Sequence, residues 1–275
     1  MRNWRLYKQP ILLVYMALNF ALLNVDVLIS HSQNRFFRLE MIPIIYGILA
    51  VISILLKVIF SRNRIVDIVF QAIMWLGIGV GVIGTYFHLA GNATSKPELL
   101  YRLLVTGSPV AAPIAFSGVA MFTLISGREQ MMNQHGKQLA LVGWGFIGAV
   151  LAAYLDHARL NFIPIYTIFP LIAGIMAGMA CFWFAYTTEG IGITNKKAFL
   201  GIMGLNLVVG LIGFIFHVIG DLSGTQTLVL ARFLYRDPLM GPLLFCNLAV
   251  LGTLSLLFEN IPETDFSPKT SFVSE

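Results

Sequence analysis

Four of the five histidines in the chain stand at the outgoing ends of long apolar stretches. These are His31, His88, His157 and His217, whereas His135 lies between stretches, in a segment interpreted as a loop. At a membrane surface, imidazole can ligate haem, bind a transition metal, relay protons or hydrogen-bond a quinone headgroup. The sequence therefore predicts a cofactor site on these four histidines, with haem, a transition metal and a quinone as alternative ligands.

Acidic residues accompany two of these histidines. Asp26 comes about a turn and a half before His31, and Asp156 directly precedes His157. A carboxylate near an imidazole commonly fixes the ring tautomer in a metal site. If a metal ion is bound instead of haem, the predicted ligands are the four histidines with Asp26 and Asp156. Two other acids, Glu40 and Asp67, begin apolar stretches and are interpreted as favourable charges at helix N-termini.

A structural interpretation competes with the cofactor interpretation. A histidine at a membrane interface can simply cap its helix end with a hydrogen bond, and a duplication would preserve such a pair. No HExxH, CxxCH or Ser-His-Asp pattern is present, so no catalytic residue is assigned and enzymatic activity stays open. Two GxGxxG patterns, beginning at Gly79 and Gly143, lie inside apolar stretches and predict close helix packing rather than nucleotide binding.

The elements that must position these residues follow from composition. The 275 residues are 57% hydrophobic and 11% charged, far below the charged share of a soluble domain. A bilayer core is crossed by roughly 20 apolar residues of helix, since backbone groups must be paired within the segment. The expected fold is an all-α, polytopic membrane protein with eight transmembrane helices, over residues 10–30, 41–60, 65–88, 107–126, 139–155, 162–186, 198–220 and 238–258.

The two halves of the chain match each other at a shift of 129 residues. The segment GVIGTYFHLAGN at 81–92 recurs as GLIGFIFHVIGD at 210–221, and the starts of the halves match through Lys8-Gln9 and Lys137-Gln138. Glycines, prolines and aromatic residues keep the same register: Gly81, Gly84, Phe87, Gly91, Pro109, Pro113 and Phe116 correspond to Gly210, Gly213, Phe216, Gly220, Pro238, Pro242 and Phe245. Because each half has four stretches, the sequence predicts a parallel repeat of two tandem four-helix bundles.

This repeat gives the domain boundaries and the orientation. The expected units are residues 1–128, residues 129–258 and a polar cytoplasmic tail at 259–275. Eleven of the lysines and arginines fall on the side of the N-terminus and seven on the other side. The positive-inside rule then places both termini in the cytoplasm and the four histidines on the periplasmic side of a bacterial inner membrane. The net charge of +5 is spread over loop ends, which favours membrane anchoring over nucleic-acid binding.

The helix ends FHLAGN and DHARLNF, together with the later GPLLF, resemble a group of uncharacterised bacterial integral membrane proteins with a duplicated four-helix unit. That resemblance implies no known activity. By architecture alone, paired four-helix bundles are similar to quinone-interacting membrane subunits of respiratory oxidoreductases, which is an analogy of fold.

Three functions remain open at this point. The first is an inner-membrane subunit of a redox or electron-transfer assembly, with a periplasmic or membrane redox partner docked near the loop segments LLYRLL and LVLARFLYR. The second is a transporter of ions or small solutes, with a path between the halves lined by Asn19, Asn24 and Asp26. The third is a scaffold subunit without chemistry of its own.

Overall fold

The structure is a computed structural model that describes residues 4–32, 37–92, 112–128, 134–158, 160–187, 192–224 and 239–257. In these ranges the regular structure is entirely helical, as predicted, with short 3-10 helices at Arg38–Glu40 and Ile165–Ile168. The α-helices are α1 Trp4–Ser32, α2 Met41–Ile59, α3 Arg64–Asn92, α4 Ile114–Ser126, α5 Gln134–Ala158, α6 Phe169–Tyr186, α7 Ile193–Leu222 and α8 Met240–Leu257. The predicted tail at 259–275 and both partner-docking segments lie outside these ranges.

Six of the helices are long and apolar enough to cross a membrane. They are α1, α2, α3, α5, α6 and α7. Their apolar spans, which include the 3-10 helices that precede α2 and α6, are between 22 and 29 residues long. Large apolar side chains such as Leu18, Ile48, Trp75 and Leu211 face outward, as lipid-facing residues do. The chain therefore has the helices expected of a multi-pass membrane protein.

The helices α4 and α8 are shorter than predicted. The described part of α4 has 13 residues, about 20 Å of helix, against a bilayer core of about 30 Å. The residues that would lengthen its start, 93–111, lie outside the described ranges. Pro113 precedes the first residue of α4 and Pro242 is in the first turn of α8, where proline is tolerated. Both prolines therefore stand at the starts of their helices, whereas Pro109 and Pro238 are not described.

The helices pack in two closed groups of four. In the first bundle, residues 4–126, α1 packs on α2 and α4, and α3 packs on the same two helices. In the second bundle, residues 134–257, α5 packs on α6 and α8, and α7 packs on the same two helices. The bundles meet along two seams, one between α1 and α8 and one between α4 and α5. One continuous apolar core, which includes Phe20 and Phe146, runs through both bundles.

The helix directions follow from close contacts across the seams and bundles. Tyr15 of α1 bonds Asn247 of α8, and a Cβ atom placed on Gly145 of α5 would meet Leu248 of α8. A Cβ atom placed on Gly252, later on α8 than Leu248, would approach Val142, which is earlier on α5 than Gly145. The helices α5 and α8 are therefore antiparallel. The His31, His157 and His217 ends of α1, α5 and α7 consequently lie at the same end of the molecule.

Backbones cross most closely where α3 meets α4 and where α7 meets α8. A Cβ atom on Gly81 would lie 2.8 Å from the Pro113 carbonyl oxygen, and one on Gly210 would lie 2.7 Å from the Pro242 carbonyl oxygen. Only glycine leaves room for this approach. All six glycines of the two GxGxxG patterns lie within α3 and α5. The predicted packing role holds for Gly81, Gly84, Gly143 and Gly145, which face close neighbours, but not for Gly79 and Gly148, where a Cβ atom would meet nothing within 4 Å.

Three glutamine amides, which we call the glutamine cap, bond the last turn of α4. Gln9 of α1 donates to the Gly127 carbonyl, Gln134 of α5 donates to the Ile125 carbonyl, and Gln138 of α5 donates to the Ser126 hydroxyl, at 2.7 to 2.9 Å. The final carbonyls of a helix have no partner within it and are costly to bury unpaired. The cap thus joins α1, α4 and α5 at the end of the molecule opposite the four histidines.

Candidate functional site

His31 ends α1 and lies against the start of α2. Its Nδ1 atom is 3.2 Å from Oε1 of Glu40, and each side chain keeps about a fifth of its surface exposed, 20% and 18%. The other Glu40 oxygen accepts a hydrogen bond of 3.0 Å from the backbone N–H of Phe37, which holds the carboxylate in place. The short connection between α1 and α2 brings these two side chains together.

His88 meets His31 across the open end of the first bundle. The two ring centroids are 6.5 Å apart and the ring planes are inclined by 63°. Because α1 and α3 occupy diagonal corners of the bundle, the two imidazoles close the end of its interior rather than project into lipid. The structure therefore brings together two of the four predicted histidines, with Glu40 as their acidic neighbour.

In the second bundle the histidines occupy the ends of the corresponding helices. The carbonyl of His157 accepts bonds from Leu160 and Phe162 in the turn that ends α5. His217 is half-buried on α7, and the ring of the preceding Phe216 lies 5.2 Å from that of Tyr166. His135 belongs to the first turn of α5 and not to a loop, so the interpretation of that segment was wrong.

The predicted acidic partners of the histidines need correction. Five residues separate Asp26 from His31, which turns the two side chains about 140° apart on α1, so Asp26 faces away from the imidazole pair. The acid within reach of His31 is Glu40. Asp156 is exposed beside His157. Across the described ranges, no three or more His, Cys, Asp or Glu side chains gather as a metal site, so the predicted metal alternative has no ligand set there.

Glu40 was missed as a site residue because it was assigned only to a helix start. Glu40 does stand at the N-cap position of α2, but its side chain makes no cap hydrogen bond to that helix and instead accepts one from the Phe37 N–H. Asp67 likewise lies in the first turn of α3, where it accepts a 2.7 Å hydrogen bond from the buried Lys57. The spacing between His31 and Glu40 could have identified Glu40. Glu40 comes nine residues after His31, where the chain must already have turned back into the membrane, so the two side chains belong to the same end of the first bundle.

The seam between α1 and α8 contains a second polar cluster. The Tyr15 hydroxyl donates to Oδ1 of Asn247 at 2.7 Å, Nδ2 of Asn247 donates to Oδ1 of Asn19, and Nδ2 of Asn19 donates to the Tyr15 carbonyl at 2.9 Å. Asn19 is buried. We call these three side chains the clasp. Tyr15 and Asn247 were not singled out from the sequence, although each is a polar group within an apolar stretch.

Asn24 does not belong to the seam, contrary to the predicted path lining. It lies five residues after Asn19 on α1 and therefore points to a different side of the helix. Its Nδ2 atom donates to the Ile44 carbonyl of α2 at 3.1 Å, inside the first bundle. Asn19 and Asp26, by contrast, share the face of α1 that carries Tyr15.

Comparison of the chain with protein-family models, with curated proteins and with solved structures finds no match. The function must therefore be argued from the geometry of these two polar clusters.

Proposed function

We propose that the protein is an inner-membrane subunit of an electron-transfer assembly and that His31 and His88 hold its cofactor, with Glu40 orienting His31. The observation that carries this proposal is the ring contact of 6.5 Å between the two imidazoles, with a Glu40 oxygen at an ion-pair distance of 3.2 Å from Nδ1 of His31, which makes no hydrogen bond with the described residues. A ligating histidine usually donates its second ring nitrogen to such a carboxylate.

The ring separation suits two ligands of one metal centre. A metal–imidazole bond is about 2 Å, and the ring centre lies about 1 Å behind the bonding nitrogen, so two opposed imidazoles place their centres roughly 6 Å apart. The observed separation of 6.5 Å is close to that spacing. Haem iron takes two axial protein ligands, whereas a site built of protein alone takes three or four. Two histidines therefore favour haem over a bare ion, and a quinone headgroup held by hydrogen bonds is the alternative.

We extend the proposal to the second bundle, where His157 and His217 would form a second site. The residue 129 positions after Glu40 is Phe169, so this site would have no acid from α6. Asp156 is the nearest carboxylate in sequence. The two sites would consequently differ in ligand polarity, and we expect the first to bind its cofactor more tightly.

The proposal includes eight membrane crossings and a tandem duplication. Matched contacts support it: the Ser117 hydroxyl donates to the Ile78 carbonyl at 2.8 Å, and the Cys246 thiol donates to the Leu207 carbonyl at 3.4 Å. Each of these residues has its counterpart 129 positions away. With both termini in the cytoplasm, as the lysine and arginine distribution favours, the cofactor would lie near the periplasmic face, within reach of a redox partner protein.

An absorption spectrum of the purified protein tests this function. We expect a Soret band that is reduced in His88→Ala and retained in His135→Ala, a variant of the histidine at the opposite end of α5. His217→Ala, combined with His88→Ala, should remove the Soret absorbance that remains in His88→Ala. A colourless protein that also fails to bind a short-chain quinone in a tryptophan-quenching titration contradicts the proposal and leaves a transporter or a scaffold.

A further inference from the structure

One face of α1 carries polar side chains through most of the membrane. Lys8, Tyr15, Asn19 and Asp26 all fall within about 40° of one another at 3.6 residues per turn. From Lys8 to Asp26 is 18 residues, about 27 Å of helix, close to the whole thickness of a bilayer core. Polar groups inside membrane segments are costly and usually mark pathways for ions or protons.

The clasp places the middle of this polar face in the α1–α8 seam. Both Tyr15 and Asn19 bond Asn247 across the seam, and Asn19 also bonds the Tyr15 carbonyl. Their hydrogen-bonding groups therefore satisfy one another and leave the seam closed at this depth. Asp26 lies outward of the clasp by seven residues, about 10 Å.

Asp26 is the single acidic residue of α1. Its side chain is half-buried, and its carboxylate has no hydrogen bond or ion pair with any residue that the structure describes. A carboxylate held in a membrane helix without a cation partner is disfavoured unless it exchanges a proton.

The corresponding face of α5 shows that packing does not require these polar groups. At 129 positions further on, Lys8 is matched by Lys137, but Tyr15, Asn19 and Asp26 are replaced by Trp144, Gly148 and Leu155. Asn247 is likewise matched by Gly118 of α4. The α4–α5 seam thus forms with none of the polar groups that line the α1–α8 seam.

We propose that the α1–α8 seam is a gated proton pathway, in which Asp26 accepts the proton and the Tyr15–Asn19–Asn247 clasp is the gate that closes the path beneath it. A proton fits better than a metal cation, because a single carboxylate with amide and phenol groups cannot replace the full hydration shell of a metal ion. The proposal does not depend on the histidine site.

The test uses the full-length protein in liposomes that contain a pH-sensitive dye. A potassium diffusion potential drives protons inward, and no electron donor is present, so failure of the electron-transfer proposal would leave this assay unaffected. One interhelical hydrogen bond is worth about a threefold shift in an open–closed equilibrium. Tyr15→Phe, which removes one bond, should raise the proton leak about threefold, and Asn247→Val, which removes two, about tenfold.

Two further variants make the result specific. Asp26→Asn added to Asn247→Val should return the leak to that of the unaltered protein. Asn206→Val is the control away from the seam, because the buried Asn206 bonds the Ala173 carbonyl of α6 inside the second bundle. This variant should weaken packing without raising the proton leak. Equal leaks from Asn247→Val and the unaltered protein would overturn the gate, and a leak that persists with Asp26→Asn would overturn the role of Asp26. Thermal unfolding of each variant shows that it is folded.

Discussion

The two seams between the bundles use similar helices in different ways. Along α1–α8, Tyr15, Asn19 and Asn247 bond one another at mid-depth. At the matching positions of α4–α5, Gly118 and Gly148 stand where a Cβ atom would meet nothing within 4 Å. The α4–α5 seam is instead held at one end, by the glutamine cap. The two seams therefore show that bundles of this kind can be joined with or without polar contacts at mid-depth.

The interiors of the two bundles differ in a related way. In the first, the Tyr46 hydroxyl occupies the space that a side chain at Gly77 would need. In the second, the position matching Gly77 is Asn206, whose amide donates to the Ala173 carbonyl at 3.0 Å, and the position matching Tyr46 is the outward-facing Ile175. One polar group reaches each bundle centre, but it comes from a different helix.

The largest expected effect on stability concerns a feature that both bundles share, the close approach of a glycine to the backbone of the next helix. Gly81→Val and Gly210→Val each place a side chain against backbone of the next helix, and we expect each to lower the free energy of unfolding by about 3 kcal/mol. Thermal unfolding in detergent can be followed with a thiol-reactive dye, since Cys181 and Cys246 are buried and free.

Gly118→Val is the matched control, because a side chain there meets open space. It should change stability by less than about 0.5 kcal/mol. Similar losses in Gly81→Val and Gly118→Val would mean that α3 and α4 do not approach as closely as described.

A smaller effect on stability is expected from changing the residues by which the two bundle centres differ. Gly77→Asn should clash with Tyr46 and destabilise the protein by about 2 kcal/mol. Adding Tyr46→Ile recreates the arrangement of the second bundle, because the amide introduced at position 77 could then donate to the second lone pair of the Ile44 carbonyl. In a double-mutant cycle measured by thermal unfolding, we expect a favourable coupling of about 1 to 2 kcal/mol. Additive losses would show that the two centres are not interchangeable.

The smallest expected effect comes from building a clasp into the other seam. Gly118→Asn and Gly148→Asn together introduce the residues that match Asn247 and Asn19. Compared with the two single variants, the pair should show a coupling of about 0.6 kcal/mol, the usual value for one interhelical hydrogen bond in a membrane. A coupling of zero would indicate that the helices at this seam lie too far apart for side chains to bond.

The sequence predicted the features that follow from helical period and apolar length. The helical fold and the long apolar helices are confirmed, and so is the packing role of four of the six glycines in the GxGxxG patterns. The described parts of α4 and α8 begin at Ile114 and Met240, later than the predicted stretches at 107 and 238, because hydrophobicity alone does not show where a helix begins in an apolar segment.

The candidate site was only partly predictable. His31 and His88 were identified, but their acidic neighbour is Glu40 rather than Asp26, since contact between helix ends depends on the path of the connecting turn. The direction of Asn24 could have been predicted, because five residues along a helix turn a side chain away from Asn19. Asn247 could not be paired with Asn19 from the chain alone, since 228 residues separate them.

The glutamine cap on α4 also constrains how the protein is made. Two of its three donors, Gln134 and Gln138, belong to α5. Before α5 is present, the Ile125 carbonyl and the Ser126 hydroxyl of α4 lack these partners. We therefore expect the first bundle to reach its final packing only after α5 has been synthesised and has packed against α4.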